Sequence, residues 1–201
     1  MTCRGLIILI RNPEKGKVKT RIAAEAGEDR ALGIYLNLLA ITRQTALGLD
    51  CHRFLYATEH IADETWDSKD FIKRVQREGD LGERMFAAFS DVLTDCQKAL
   101  IIGSDCPWLK ADHLLQAFDA LDSHDLVLGP ASDGGYYLLG MKHPEASLFQ
   151  GISWSSENVL QETIHAANQS GLKYFLLQTL SDVDHLDDWR AYEEGLRAQH
   201  Q

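Results

Sequence analysis

The sequence lacks the features of a membrane-spanning, disulfide-stabilised or zinc-binding protein. No apolar run approaches the roughly 18 to 20 residues that a membrane helix needs. The first residues do not combine a basic start, a long apolar stretch and a small-residue cleavage site, as a signal peptide does. The four cysteines are far apart and form no CxxC pair, which argues against a zinc site and a disulfide framework. We therefore expect a cytoplasmic protein with reduced thiols.

A surplus of positive charge is also missing. The formal net charge is −10, whereas proteins that bind nucleic acids normally present a broad basic face to the phosphates. This argues against nucleic acid as a partner. A chain of 201 residues that is 45% hydrophobic and 25% charged has the composition of an ordinary globular protein. Because no repeat, low-complexity tract or linker interrupts it, we expect residues 1–201 to form a single domain.

Strand-like and helix-like segments alternate along the chain. Apolar runs rich in β-branched or aromatic residues occupy 5–10, 53–57, 99–102, 126–128, 136–140 and 174–177. Helical spacing is found at 32–48, 81–95, 111–121, 155–168 and 186–198, with Ser155 or Ser156 as the predicted cap of the fourth helix. This alternation predicts a three-layer α/β/α fold with a mostly parallel, mixed sheet. The short link between 128 and 136 predicts one antiparallel pair.

The segment 11–21 is positively charged, although the chain as a whole is negatively charged. It carries five cations and one acid, so the remainder of the chain sums to −14. It directly follows the first predicted strand, which is where open α/β sheets bind ligands, and Lys and Arg around a turn hold phosphates well. The candidate phosphate-binding residues are Arg11, Lys15, Gly16, Lys17, Lys19 and Arg21. The alternative is a solvated basic loop.

Asp105 follows the predicted strand 99–102 and precedes Pro107, which presents its carboxylate at the end of that strand. A carboxylate in this place can hold Mg²⁺ or Mn²⁺ against substrate phosphates. Asp182 or Asp184 could supply a second carboxylate. The alternatives are a turn role for Asp105 and a helix-capping role for Asp184.

Three further segments are candidates for binding the substrate. Asp133, Gly134 and Gly135 form a turn that could expose backbone amides to an acceptor. Trp154 could stack on a base or sugar, or could be a core anchor. Arg84 lies at the start of a predicted helix and could bind an anion there, or could belong to a salt-bridged surface turn.

Five sequence blocks together resemble a known family. They are 11–21, 78–84, 103–107, 132–140 and 152–156. They resemble the bacterial family of glycosyltransferases named for its association with radical-SAM and selenium-related domains. That family is similar to nucleotide-diphospho-sugar transferases of the glycosyltransferase A fold, and is related to molybdenum-cofactor and phospholactate guanylyltransferases. The resemblance implies a nucleotide across the N-terminal half of the sheet, with Asp105 matching the metal-binding aspartate and Asp184 the late aspartate that completes the site.

The resemblance implies a metal-dependent transferase that uses a nucleotide-sugar and a small-molecule acceptor. Together with the clustered charge of the basic segment, it leads us to expect Asp105, Lys19 and Arg21 as catalytic residues. The chain departs from such glycosyltransferases in one place, because Cys106 and Pro107 follow Asp105 where Asp-x-Asp is typical. The basic segment also suits the leaving pyrophosphate of nucleotidyl transfer. A nucleotidyltransferase of the guanylyl type and a non-catalytic nucleotide-binding module are therefore the alternatives.

Overall fold

A seven-stranded mixed sheet forms the centre of the computed structural model, which describes residues 3–61 and 65–198. The strands are β1 Arg4–Ile10, β2 His52–Ala57, β3 Ile72–Val75, β4 Lys98–Ile102, β5 Leu126–Pro130, β6 Tyr136–Met141 and β7 Tyr174–Leu176. Their order is β3-β2-β1-β4-β6-β5-β7, and β6 alone among them runs antiparallel to its neighbours, β4 and β5. The predicted fold class and the predicted antiparallel pair are both confirmed.

Helices cover both faces of this sheet. They are α1 Thr20–Ala26, α2 Glu28–Leu47, α3 Leu81–Val92, α4 Ala111–Ala120, α5 Val159–Gln169 and α6 Leu186–Ala198, with a short 3₁₀ helix at Ala146–Phe149. Side chains alternate across β1, so that Leu6 and Ile8 pack in one buried cluster with α2 and α4, whereas Ile7 packs with α3 and α5. A strand buried on both faces is apolar throughout, which explains its continuous hydrophobic run.

Three elements were not predicted, namely β3, α1 and the 3₁₀ helix, and several predicted helix boundaries differ by three or four residues. The edge strand β3 has only four residues, Ile-Lys-Arg-Val, and is half exposed, so it carries no apolar run. The seven-residue α1 is too short for a clear helical period. Helix α5 begins at Val159 rather than near 155, because Ser155 has a left-handed φ of 66° that a helix does not accommodate. Ser156 accepts a hydrogen bond from the backbone of Asn158 instead of capping the helix.

The topology brings the candidate segments to one edge of the sheet. The loops after β1, β4 and β7 leave from the carboxyl ends of strands that run in the same direction. Because β6 is antiparallel to β4 and β5, the turn between β5 and β6 lies at that edge as well. In the part of the chain that the structure describes, no helix is both long and apolar enough to cross a membrane.

Candidate active site

A cleft of about 780 Å³ opens at the carboxyl edge of the sheet. Its walls come from the loop after β1, the loop after β4, the β5–β6 turn, the first turn of α3 and the segments 154–157 and 182–184. The predicted site residues that line it are Arg11, Lys17, Lys19, Arg21, Arg84, Asp105, Asp133, Gly135, Trp154 and Asp184. The fold therefore gathers residues that are up to 173 positions apart along the chain into one cavity.

Lys19 joins the basic segment to the candidate metal carboxylates. Its Nζ lies 2.8 Å from Oδ1 of Asp105 and 3.7 Å from Oδ1 of Asp184, and only 6% of the side chain is exposed. The same Nζ donates a 2.6 Å hydrogen bond to the carbonyl of Val183. Lys19 has a left-handed φ of 47° directly before α1. A cation from the first loop and an acid from the middle of the chain are thus in direct contact.

A backbone hydrogen bond connects the segment 182–184 to the loop after β4. The amide of Val183 donates to the carbonyl of Asp105 at 2.8 Å. Arg21, from the first turn of α1, donates to Oδ2 of Asp184, also at 2.8 Å. These contacts fix the positions of Asp105 and Asp184 on either side of the ammonium of Lys19.

Asp182 is a buried acid in the same cluster. Its Oδ1 is buried without a hydrogen-bond partner. Burial raises the pKa of Asp182 from 3.8 to about 7, and the negative charges of Asp105, Asp133 and Asp184 act in the same direction, against the opposing charge of Lys19. Burial and the charge of Asp182 also raise the pKa of the Cys106 thiol, which keeps Cys106 protonated. The negative charges of this cluster therefore outnumber the positive charges close to Asp182.

This acid cluster fits a hard divalent cation. Among residues 3–61 and 65–198, no three His, Cys, Asp or Glu side chains are arranged as a ready metal site. Mg²⁺ and Mn²⁺, however, need only one or two protein carboxylates when substrate phosphates supply the other oxygens. Asp105 and Asp184 provide two oxygen donors, and the unpartnered Oδ1 of Asp182 lies in the same cluster.

Two residues with roles at the site carry no sequence signal. The hydroxyl of Tyr35, on α2, donates to the carbonyl of Arg11 and accepts from its amide, both at 3.0 Å, which fixes the start of the basic loop. Burial raises the pKa of Tyr35 to about 12, so the hydroxyl keeps its proton for this exchange. Gln76 follows β3, which the apolar pattern did not reveal, and only the three-dimensional fold places it at the cleft.

Gln76 directly follows β3 and links the ends of β1 and β2 to Arg84. Its Nε2 donates to the carbonyls of Ile10 and Tyr56, at 2.8 Å and 2.9 Å. Its Oε1 accepts from the guanidinium of Arg84 at 3.1 Å. Because the amide is held on three sides, Arg84 is presented to the cleft from a fixed anchor.

The opposite wall depends on two close approaches of the backbone. Gly134 has a φ of 91°, and a Cβ there would lie 2.1 Å from the carbonyl oxygen of Glu157. A Cβ on Gly82, in the first turn of α3, would lie 2.5 Å from the indole of Trp154. Both glycines are therefore required for the segment 154–157 to pack against the β5–β6 turn and α3. Within that turn, Asp133 accepts a hydrogen bond from the amide of Gly135 at 3.0 Å.

Some of the predicted phosphate-binding residues lie apart from the carboxylates. Lys15 pairs with Asp29 at 2.7 Å, and neither Lys15 nor Gly16 lines the cleft. Lys17 lines it, but its ammonium pairs with Glu14 at 2.7 Å. Among the predicted substrate residues, Gly134 shapes the wall without lining the cavity.

Comparison with known proteins identifies relatives among nucleotide-handling enzymes. The chain is similar to a 2-phospho-L-lactate guanylyltransferase of Methanocaldococcus vulcanius, with 23% identity over 180 residues that span 89% of this chain and 79% of the relative. It is also similar to the structure of a candidate nucleotide-diphospho-sugar transferase from Desulfovibrio desulfuricans G20. That match has 29% identity and a TM-score of 0.85, and covers 92% of this chain and 84% of the other.

A more distant structure shares the fold. It is 4-diphosphocytidyl-2C-methyl-D-erythritol synthase from Anaerococcus prevotii, with 12% identity, a TM-score of 0.67 and coverage of 98% of this chain and 96% of the other. The structural neighbours are thus folds of nucleotidyltransferases and nucleotide-sugar transferases.

A family match covers the middle of the chain. Residues 41–156, more than half of the sequence, match the family DUF2064, which is described as an uncharacterized protein conserved in bacteria. The association with radical-SAM and selenium-related domains remains a prediction. The matched stretch includes Arg84, Asp105, Asp133 and Trp154, all of which line the cleft. The chain belongs to the DUF2064 family.

Proposed function

We propose that this protein is a divalent-metal-dependent nucleotidyltransferase. It joins the nucleoside monophosphate part of a nucleoside triphosphate to a small phosphorylated acceptor and releases pyrophosphate. The observation that carries the proposal is the contact of 2.8 Å between Lys19 of the basic loop and Asp105 in one cleft. The similarity to a named guanylyltransferase supports this reaction over the glycosyl transfer that the sequence resemblance placed first, and makes GTP the first triphosphate to test.

Lys19 and Arg21 bind the phosphates of the triphosphate in this proposal. Both line the cleft, and Lys19 is already withdrawn from water, so its charge acts at close range with little screening. An acceptor oxygen forms a bond to the α-phosphorus while the bond to the bridging oxygen of the β-phosphate breaks. The negative charge then moves onto the departing pyrophosphate, where fixed cations stabilise it most. Arg11, held by Tyr35, extends the positive wall of the cleft.

Asp105 and Asp184 hold the divalent cation, which is Mg²⁺ or Mn²⁺. When bound, this cation would neutralise phosphate charge and polarise the α-phosphate of the nucleotidyl group that is transferred. The two carboxylates are placed by the Val183 to Asp105 backbone bond and by Arg21, so they need little rearrangement. Asp182 lines the same cleft and interacts electrostatically with both carboxylates.

The acceptor lies against the wall formed by the β5–β6 turn and the segment 154–157. Asp133, Gly135 and Trp154 line this wall, and it faces the same cavity as Lys19. The reaction needs no covalent enzyme intermediate, because positioning and electrostatic stabilisation supply most of the catalysis in phosphoryl transfer. Gly134 contributes by allowing the turn to pack against Glu157.

Glycosyl transfer from a nucleotide-sugar is the second candidate. It is supported by the structural match to a candidate nucleotide-diphospho-sugar transferase, which is 29% identical over 92% of this chain. In that reaction the same cleft would hold the nucleoside diphosphate as the leaving group. The absence of a second aspartate two residues after Asp105 is the sequence feature that weighs against it.

Product analysis separates these reactions. The protein is incubated with Mg²⁺, one of four nucleoside triphosphates and a panel of phosphorylated small acids and sugar phosphates, and separately with nucleotide-sugars and acceptors. Nucleotidyl transfer predicts pyrophosphate in the first series and no nucleoside diphosphate in the second. Nucleoside diphosphate release from a nucleotide-sugar would instead establish glycosyl transfer. Tight nucleotide binding without any product would indicate the non-catalytic module.

A further inference from the structure

Two cysteines meet at the edge of the sheet opposite the cleft. Cys3 directly precedes β1 and Cys96 lies two residues before β4, and these two strands are hydrogen-bonded neighbours. The amide of Gln97 donates to the carbonyl of Cys3 at 3.0 Å, which continues the pairing of the strands through this point. The backbone therefore holds the two cysteines side by side although 93 positions separate them.

Their sulfur atoms are in contact. Sγ of Cys3 lies 2.7 Å from Sγ of Cys96, in a partly buried position. A disulfide has an S–S distance of about 2.05 Å, so the two atoms need to approach by less than about 1 Å. Gly5 faces the same place, and a Cβ on it would lie 3.3 Å from Sγ of Cys96. The same Cβ would lie 2.6 Å from Cγ1 of Val92, so the close packing around Cys96 depends on a glycine at this position.

Cys51 and Cys106 serve as internal controls, and Cys51 is the stricter one because it is near enough to interact electrostatically with Cys3 and Cys96. Cys51 packs with the hydrophobic cluster on one face of the sheet, whereas Cys3 and Cys96 pack with the cluster on the other face. Cys106 is buried in the cleft at the opposite edge. The geometry thus selects one pair out of four free thiols.

We propose that Cys3 and Cys96 are a thiol pair that closes to an intramolecular disulfide when the protein meets a small disulfide oxidant such as oxidised glutathione. Cys3 reacts first, because it is partly exposed whereas Cys96 is only 4% exposed. The Cys3 sulfur bonds to one sulfur of the oxidant, and the other leaves as a thiol. Cys96 then attacks Sγ of Cys3 and displaces the second thiol. Two cysteine thiols are oxidised, one disulfide is reduced to two thiols, and their two protons pass to the two leaving groups.

The environment of Cys96 supports this order of events. Burial and the neighbouring Cys3 thiol raise the pKa of Cys96, which disfavours its direct attack on an external oxidant. Once Cys3 carries the oxidant, however, the reacting sulfur is already in contact with Cys96. The resulting bond ties β1 to β4 at the edge away from the cleft, so it constrains the fold without occupying the proposed active site.

The test uses the reduced, folded, full-length protein and oxidised glutathione. After quenching with an alkylating agent, intact mass and a non-reducing peptide map are recorded. The proposal predicts a monomer that, after the mass of its alkyl groups is subtracted, is two hydrogen atoms lighter than the reduced protein. The Cys3 and Cys96 peptides should be joined, and Cys51 and Cys106 should be free of glutathione. The Cys51→Ser variant should give the same product. The Cys96→Ser variant should stop at a stable glutathione adduct on Cys3.

The wild-type map alone can overturn the proposal, so the test does not depend on how well any variant folds. A persistent glutathione adduct on Cys3 beside a free Cys96 would contradict it. A Cys3 to Cys51 bond, a disulfide-linked dimer, or modification of Cys51 with Cys3 untouched would contradict it equally.

Discussion

Replacement of Lys19 by methionine should make the acid cluster bind Mn²⁺ more tightly in the absence of nucleotide. The ammonium of Lys19 lies between Asp105 and Asp184 and acts as a built-in counterion. A metal ion that enters alone must compete with this charge, whereas a metal ion that enters with a triphosphate brings the phosphates to which Lys19 can turn. Methionine keeps much of the side chain's length and apolar volume and removes the charge.

The structure sets the size of the effect. At an effective dielectric constant of about 20, unit charges separated by 2.8 Å and 3.7 Å interact by roughly 6 and 4.5 kcal/mol. Because 46% of the Asp105 side chain and 38% of the Asp184 side chain are exposed, water screens most of this energy. If about a third of the weaker interaction remains, roughly 1.5 kcal/mol, the affinity for Mn²⁺ should rise about tenfold.

Electron paramagnetic resonance of free Mn²⁺, titrated with protein in the absence of nucleotide, measures this affinity directly. Lys17→Met is the matched control, because Lys17 lines the same cleft but pairs with Glu14. Its affinity for Mn²⁺ should equal that of the wild type. The reasoning is refuted if Lys19→Met binds Mn²⁺ no more tightly than the wild type, or if both variants change equally.

Two further predictions concern stability. The pKa of Asp182 is raised to about 7 in the folded protein. Between pH 4 and pH 7 the folded state therefore binds more protons than the unfolded state. The free energy of unfolding falls as the pH rises through this range, by up to about 1.4 kcal/mol per pH unit. Asp182→Asn should therefore stabilise the metal-free protein more at pH 8 than at pH 5 in urea unfolding, and an equal gain at both would contradict this. Gly82→Ala should lower the free energy of unfolding by about 1 to 3 kcal/mol and shift the fluorescence of Trp154, because its Cβ would overlap the indole. Gly33→Ala, in the interior of α2 with nothing within 4 Å, should instead gain about 0.5 to 1 kcal/mol, and a loss there would show that the overlap is not the cause.

The sequence predicted those parts of the fold that local patterns determine. Strands that are buried on both faces, such as β1 and β4, can be recognised in the sequence as continuous apolar runs. The hairpin of β5 and β6 was predicted from its short Gly-containing turn. The edge strand β3 was not predicted, because it is defined by its pairing with β2 rather than by an apolar pattern of its own. The start of α5 was misplaced because Ser155 is in a left-handed conformation and its neighbours Trp154 and Glu157 pack against α3 and the β5–β6 turn, which no local pattern shows.

The candidate site was predicted to the extent that strand ends determine it. Charged residues directly after β1 and β4 could be placed together, because adjacent parallel strands end at the same edge. The distinction between Lys19, which meets Asp105, and Lys15, which meets Asp29, depends on how the loop turns. The role of Gln76 depends on three strand ends at once, so no single segment carries its signal. The contact between Cys3 and Cys96 could not be predicted for a similar reason, because it arises only when β1 pairs with β4.

The most direct test of the central claim is nucleoside triphosphate binding with and without Mg²⁺, measured by calorimetry for the wild type and for Asp105→Asn. If Asp105 and the cations of the basic loop bind one metal and one triphosphate together, Mg²⁺ should strengthen triphosphate binding to the wild type and should have no effect on Asp105→Asn. The contact between Lys19 and Asp105 predicts this dependence. Triphosphate binding that responds to Mg²⁺ equally in both proteins would contradict the account.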